Sequence, residues 1–141
     1  MKTLLIFLLS FSALTVFSQN KQDLPVPLPG NFMDDYGIKY QISDTLFFML
    51  SATKYHVLRW NTKEQYIIAH NGLDNPHDKG LYTRIDYMKF ENMEPYKWGF
   101  CLTTWDAKTD SLAEFTALKV DRANPRKGCS GFPFSRLKRI D

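Results

Sequence analysis

The residues that could do chemistry in this chain are few, and they do not stand at the spacings that metal sites need. The three histidines, His56, His70 and His77, lack the spacing of metal ligands. One loop is rich in oxygen donors of the kind that calcium prefers, but it has no alternating acidic residues and no closing glutamate. These donors are also ordinary turn formers; they are Asn71, Asp74, Asn75 and Asp78. We therefore predict no metal site.

Catalytic motifs are not recognisable either. The chain contains no Gly-x-Ser-x-Gly, no His-Glu-x-x-His and no glycine-rich phosphate loop. Asp106 and Asp110 could form a carboxylate pair, but nothing identifies a partner base or nucleophile. Asp110 is better explained as an acidic residue at the start of a helix. We predict that the protein is not an enzyme and uses no cofactor.

The N-terminal residues have the composition of a secretory signal peptide. A short positive start is followed by an uncharged apolar run from Leu4 to Val16, which ends in small or β-branched residues. This run is shorter than the roughly 20 residues that a membrane span needs. We predict a signal peptide over 1–18, a proline-rich linker over 19–29 and one domain over 30–141. The mature protein should be secreted or periplasmic, with no membrane span.

The chain has two cysteines, Cys101 and Cys129. In an exported protein, an even number of cysteines predicts disulfide bonds. The alternative is a pair of free thiols that bind a metal or act in catalysis. A zinc site would usually add a close Cys-x-x-Cys pair or a histidine partner, and neither is present. We favour a disulfide between Cys101 and Cys129.

The pattern from Gly30 onwards is typical of short strands separated by turns. β-branched and aromatic residues alternate with polar ones or form short apolar runs, over 38–42, 45–50, 55–60, 65–70 and 81–90. The next strand, over 96–105, carries its large residues on one face and Cys101 on the other. The large side chains, which we expect in the core, are Tyr96, Trp98, Phe100 and Leu102. Cys101 should therefore point outward.

One helix is predicted after these strands. Ser111 and Glu114 fit a capping box. Three apolar residues recur at helical spacing, at Leu112, Phe115 and Leu118. We expect this apolar face to cover the outside of the sheet near the disulfide, and the chain to end in an edge strand or extended tail over 132–137. Short antiparallel strands with one late outer helix describe an all-β, closed up-and-down barrel.

Several segments resemble a known architecture. Gly30-x-Phe32 resembles the Gly-x-Trp signature that opens lipocalin-like (calycin) barrels, with phenylalanine in place of tryptophan. The chain further resembles a group of small secreted bacterial proteins with a lipocalin-like barrel, in the segments 35–37, 66–71, 80–86 and 128–134. The resemblance implies a lipocalin-like barrel.

The interior of a barrel of about eight strands is either filled by side chains or holds one small ligand. We predict a secreted protein that holds an apolar or amphipathic molecule inside the barrel. The candidate cavity residues are Phe32, Phe47, Trp60, Trp98 and Phe100, with Arg84 and Asp86 as a polar anchor. Two alternatives stay open: the aromatic residues fill a packed barrel, and Arg84 and Asp86 form a salt bridge on the solvent face.

The charge of the chain is small but uneven. The formal net charge is +3, and seven basic residues lie between Lys119 and Arg139 against one acid, Asp121. Such a patch can bind nucleic acid or an anionic surface, but in a secreted protein a solvated basic edge is expected. We predict a monomer with no nucleic-acid partner. The alternative function is an extracellular interaction or inhibitor module that uses the basic tail or the 71–80 loop.

Overall fold

The computed structural model describes residues 30–141, which form eight strands and one short helix. The elements are β1 (Gly30–Asp34), β2 (Lys39–Ile42), β3 (Leu46–Met49), β4 (Thr53–Asn61), β5 (Tyr66–Asn71), β6 (Tyr82–Lys89), β7 (Tyr96–Ala107), α1 (Asp110–Phe115) and β8 (Ser135–Ile140). The predicted signal peptide over 1–18 and linker over 19–29 lie outside the described residues. Within residues 30–141, no helix is long and apolar enough to cross a membrane.

The sheet closes on itself. Each strand pairs antiparallel with the next strand along the chain, and β1 also pairs with β8. Phe32, for example, lies opposite Tyr40 of β2 on one side and opposite Arg139 of β8 on the other. Antiparallel neighbours need only short turns between them. The predicted all-β up-and-down barrel, with one short helix and one disulfide, is confirmed.

Side-chain alternation decides which residues fill the barrel. In β2, Tyr40 and Ile42 are buried while Lys39 and Gln41 are exposed. The inward-facing residues of the strands form one hydrophobic core. Burial of each large apolar side chain stabilises the fold by about 1.5–3 kcal/mol. The register is therefore strongly specified, because a shift of one residue would turn these side chains to the outside.

The last strand differs from the edge strand predicted over 132–137. β8 begins at Ser135 and pairs with both β1 and β7. Pro133 has no backbone N–H to offer to a sheet, and Gly131 just before it has a φ of 89°. The chain therefore turns before the strand starts. β8 closes the barrel and is not an edge.

The helix also differs from its prediction. Its N-cap is Thr109, whose hydroxyl accepts a hydrogen bond from the backbone N–H of Leu112 at 3.1 Å. The predicted capping box from Ser111 to Glu114 is therefore wrong. Ala113 is fully buried, because α1 packs closely on β5, β6 and β7 and leaves room there for a small side chain. The three apolar residues at helical spacing are exposed instead: Leu112, Phe115 and Leu118.

Cys101 and Cys129 form the predicted disulfide, with their Cα atoms 5.7 Å apart. Cys101 faces away from the core aromatic residues of β7, as the alternation predicted. The bond holds the chain that follows α1 against the outer face of the barrel. We call residues 119–134 the disulfide-anchored segment.

Candidate functional site

The five aromatic residues predicted to line a cavity all lie in the barrel core, namely Phe32, Phe47, Trp60, Trp98 and Phe100. None is more than 8% exposed. Their rings pack edge to face, with centroids 5.5 Å apart between Phe32 and Trp98 and 5.0 Å apart between Phe47 and Phe100. Such pairs are favourable aromatic contacts. These residues fill the interior, and none of them lines the three cavities described below.

Three buried polar atoms have no hydrogen-bond partner within residues 30–141. They are the hydroxyl of Tyr87, the indole N–H of Trp98 and the hydroxyl of Thr104. Burial raises the pKa of Tyr87 to about 12, because it disfavours the charged phenolate. An unpaired buried polar group costs about 1–3 kcal/mol. These groups therefore lower the stability of an otherwise apolar interior.

Arg84 and Asp86 lie on the outer face of β6, apart from the five aromatic residues. Asp86 is fully buried there, beneath side chains of the protein itself. Its Oδ2 accepts hydrogen bonds from Arg84 Nε at 2.8 Å and Thr103 Oγ1 at 2.6 Å. Its Oδ1 accepts from Arg122 Nη2 at 2.9 Å. The cavity prediction placed this pair inside the barrel, but the pair lies on the outer face of β6. Arg84 and Asp86 do form a salt bridge, as the alternative predicted, but Asp86 is buried and does not face solvent.

A second group of charges joins helix α1 to the barrel. Arg59 of β4 donates to Asp110 at 2.8 Å and to Glu114 at 2.6 Å. The other carboxylate oxygen of Glu114 accepts a hydrogen bond from the hydroxyl of Tyr66. Arg84 stacks 3.8 Å over the ring of Tyr66. The hydrogen bonds from Tyr66 and Arg59 lower the pKa of Glu114. This group explains how a helix of six residues is held on the barrel.

The loop considered as a calcium site uses its amides to hold its own backbone. The side chain of Asn75 accepts from the N–H of Lys54 at 2.8 Å and donates to its carbonyl at 2.9 Å. Asn71 donates to the carbonyls of Asp78 and Trp105, each at 2.9 Å. Among residues 30–141, no group of three or more His, Cys, Asp or Glu side chains could hold a metal ion.

The largest of the three cavities is a groove of about 560 Å³ on the outside of the barrel. Its walls come from the turn after β1, the turn between β6 and β7, the disulfide-anchored segment and β8. The lining residues are Asp35, Phe90, Met93, Pro125, Arg126, Pro133, Phe134 and Arg136. We call this cavity the outer groove. Most of its lining is apolar, and two arginines and one aspartate supply its charge.

Local sequence explains the shape of the outer groove. A Cβ atom at Gly99 would lie 2.8 Å from the ring of Phe90, so the glycine allows this ring to pack against β7. The backbone N–H of Phe134 donates to the carbonyl of Pro125 at 2.9 Å, which joins the C-terminal end of the disulfide-anchored segment to its middle. Phe134 is buried and forms the floor, while Pro133 is exposed at the rim.

The charges of the outer groove are not equivalent. Arg136 donates from Nε and Nη2 to one oxygen of Asp35, at 3.0 Å and 2.7 Å, and lies 4.8 Å over the ring of Tyr96. The hydrogen bond with Asp35 raises the pKa of Arg136. Arg126 makes no hydrogen bond or ion pair with any other residue of the 30–141 region. The groove therefore presents one unpaired cation beside an ion pair.

Two smaller cavities lie elsewhere on the barrel. One of about 310 Å³ lies along β1 and β2, beside Gly30 and Gln41. The other, of about 190 Å³, lies at a barrel end between Tyr55, Trp105 and the 71–80 loop. Burial raises the pKa of Tyr55 to about 12, with a smaller contribution from the charge of Asp78. Both are smaller than the outer groove.

Sequence reasoning identified part of the outer groove without assigning it a role. The motif over 128–134 supplied two of its residues, but as part of a resemblance. Arg122 was counted only as one basic residue of the tail, although it covers the buried Asp86. Its contact spans 36 positions along the chain. Because the two residues are so far apart in sequence, no periodic pattern predicts this contact. Nothing in the sequence distinguishes Arg122 from the other basic residues of the tail.

Comparisons of the chain with family models, with curated proteins and with solved structures found no match. The fold and the site nevertheless define a class in structural terms. The chain forms a closed, eight-stranded antiparallel barrel with a filled interior and an outer groove that is partly built by a disulfide-anchored segment.

Proposed function

We propose that this protein is a secreted binding protein that holds a small apolar or amphipathic molecule in its outer groove. The observation that carries the proposal is the groove itself. Its volume of about 560 Å³ lies within the range of about 300–1,000 Å³ that is usual for small-molecule sites. Its apolar walls and few charged groups are also typical of such sites.

The position of the ligand differs from the one predicted from the sequence. The barrel interior is occupied by aromatic rings in mutual contact, and an eight-stranded barrel is just wide enough for side chains to fill. The outer groove has the largest volume of the three cavities described and is accessible from solvent through its exposed rim. The ligand class stays as predicted, while the site moves from the interior to the surface.

Secretion is part of the proposal. The disulfide supports it, because such bonds persist in oxidising compartments. The composition of residues 1–18 supports it from the sequence side. Kinship with lipocalin-like bacterial proteins is likewise proposed, on the shared barrel architecture. The monomeric state, the absence of catalysis and the absence of a nucleic-acid partner stay predictions.

The test is binding of phenylnaphthylamine, a neutral apolar dye whose fluorescence rises in apolar sites. We expect saturable binding to the wild-type protein. Met93→Glu places a charged, hydrated group in the apolar wall and should weaken binding of the neutral dye about tenfold, because the dye would have to remove water from that group. Leu73→Glu is the matched control, since Leu73 is 74% exposed and lies outside the groove.

The results for the two variants distinguish binding in the outer groove from binding elsewhere on the protein. Weaker binding by Met93→Glu with no effect of Leu73→Glu supports the outer groove. Equal binding by all three proteins would move the ligand away from the groove and overturn its assignment. A wild-type protein that shows no saturable binding would overturn the function itself.

A further inference from the structure

We infer that the ligand of the outer groove carries one anionic head group, which binds at Arg126 beside Arg136. This inference rests on the proposed function, because it names the chemical class of the ligand at the same site. The molecule would be a small amphiphile. Its apolar body would lie against Phe90, Met93 and Phe134, and its head group would be a carboxylate or an anion of similar shape.

The side chain of Arg126 is exposed beside the apolar wall of the groove. It lines the groove and has no hydrogen-bond or ion-pair partner within residues 30–141. A guanidinium group offers a planar set of N–H donors that matches a carboxylate or phosphate in two parallel hydrogen bonds. An unpaired arginine beside an apolar wall therefore favours a ligand with an anionic end over a neutral one.

Asp35 and Arg136 form an ion pair that also lines the groove. Arg136 directs both Nε and Nη2 to a single oxygen of Asp35. Its remaining amino group, Nη1, makes no hydrogen bond with residues 30–141. The lining thus carries two cations and one carboxylate, with a net charge of +1. Asp35 both occupies Arg136 and repels an incoming anion, so it acts as an internal competitor for the head group.

Because Asp35 competes with the head group, changes at Arg126 and at Asp35 should have opposite effects on the affinity for an anion. Loss of Arg126 should weaken the binding of an anion, whereas loss of the charge on Asp35 should strengthen it. General damage to the groove would weaken binding in both variants. The opposite signs therefore distinguish head-group recognition from a merely structural role of these residues.

The experiment uses two dyes with the same aromatic body, anilinonaphthalenesulfonate, which is anionic, and phenylnaphthylamine, which is neutral. The readout is the ratio of their affinities. Arg126→Gln should lower the preference for the anion about threefold to fivefold, at the upper end of the range for an exposed charge pair. Asp35→Asn should raise it about threefold. Lys127→Gln is the matched control, since it removes a neighbouring cation that does not line the groove.

Two further measurements sharpen the test. The preference for the anionic dye should fall with added salt, because Arg126 is exposed and salt weakens exposed charge interactions, with a Debye length of about 10 Å at 0.1 M ionic strength. Decanoate should displace the anionic dye more effectively than decanol, which has the same chain length and no charge. Circular dichroism of each variant establishes that the barrel is intact.

The outcomes test the anionic head group separately from the assignment of the ligand to the outer groove. Opposite shifts for Arg126→Gln and Asp35→Asn, with Lys127→Gln at the wild-type ratio, support the anionic head group. Equal ratios in all four proteins, with Met93→Glu still weakening the neutral dye, would overturn the head-group inference and leave the groove assignment standing. Failure of both dyes to bind would overturn the proposed function.

Discussion

Removal of the disulfide should have a large and calculable effect on stability. The bond joins residues 28 positions apart. In the chain-entropy model, closing a loop of this size stabilises the folded state by about 3.6 kcal/mol. A domain of this size has a net stability of about 5–15 kcal/mol. The double variant Cys101→Ala, Cys129→Ala should therefore fold, but with a free energy of unfolding reduced by about 3.6 kcal/mol.

The assay is equilibrium unfolding in urea, followed by the fluorescence of the buried Trp60 and Trp98. We expect a lower midpoint for the double variant. We also expect a larger dependence of the free energy on urea, because the unfolded chain without the cross-link is more expanded and exposes more surface. The wild-type protein, unfolded in the presence of a reducing agent, is the control and should behave like the variant.

Two results would refute this reasoning. A loss of less than about 1 kcal/mol would show that the disulfide-anchored segment does not behave as an entropic loop in the unfolded state. An unchanged urea dependence together with a large loss would place the effect in the folded state. The natural folded-state cause would be the release of Arg122, which covers the buried carboxylate of Asp86.

Four further predictions test other parts of the structure. Phe47→Ala should lower the free energy of unfolding by about 3–5 kcal/mol in urea titrations, because it leaves a cavity in a packed core; a loss below about 1 kcal/mol would indicate an interior that is already open. Tyr87→Phe should raise the melting temperature and increase the free energy of unfolding by about 1 kcal/mol, because it removes an unpaired buried hydroxyl. A lower melting temperature would mean that the hydroxyl forms a hydrogen bond with a water molecule. Thr109→Ala should cost about 1 kcal/mol by loss of the N-cap while Ser111→Ala costs little, and the reverse order would restore the predicted capping box. Glu114 has a folded-state pKa below its ordinary value of 4.5, so its stabilisation is present above about pH 4.5 and is lost as the pH falls through the lower folded-state pKa. Glu114→Gln should therefore flatten the fall in unfolding free energy below about pH 4.5, and a parallel fall in both proteins would contradict this assignment.

The strands and the core could be predicted from the sequence because their signals are local. Tyr40 and Ile42 alternate with polar neighbours, and this period of two fixes both the strand and its buried face. The outward position of Cys101 followed from the same alternation, and it predicted that the disulfide would lie on the outside of the barrel. Local propensity and tertiary packing agree in these strands, so the pattern was sufficient.

The helix shows where a local pattern fails. Leu112, Phe115 and Leu118 have the spacing of a buried face, yet they are exposed. A helix of six residues gains little stability from its own hydrogen bonds. Its orientation therefore depends on the side-chain contacts that it makes with the barrel. Arg59 and Tyr66 of the barrel bind one face of the helix, and this orientation turns Leu112 and Phe115 outward. Leu118 lies beyond the end of the helix. These partners are 48 or more positions away, and no periodicity in the helix itself reports them.

The aromatic residues show a second limit of sequence-based prediction, because the sequence does not give the free volume inside the barrel. Phe32, Phe47 and Trp98 were correctly assigned to the interior, but composition cannot distinguish rings that line a cavity from rings that fill it. The distinction depends on barrel width, which is set by strand number and stagger, and on edge-to-face contacts between residues of different strands. The packing of the interior can therefore be seen only in the three-dimensional structure of the barrel.

A filled barrel places a constraint on where a binding site can arise. The interior rings stabilise the sheet through their contacts, so enlarging the inside would remove the contacts that hold the barrel closed. The disulfide-anchored segment avoids this conflict, because it adds a second surface outside the sheet. Its residues Pro125, Arg126, Pro133 and Phe134 line the groove together with residues of two barrel turns and of β8, namely Asp35, Phe90, Met93 and Arg136. The same bond that stabilises the fold also supplies one wall of the proposed site, so the shape and charge of this groove can vary through the tail while the barrel stays unchanged.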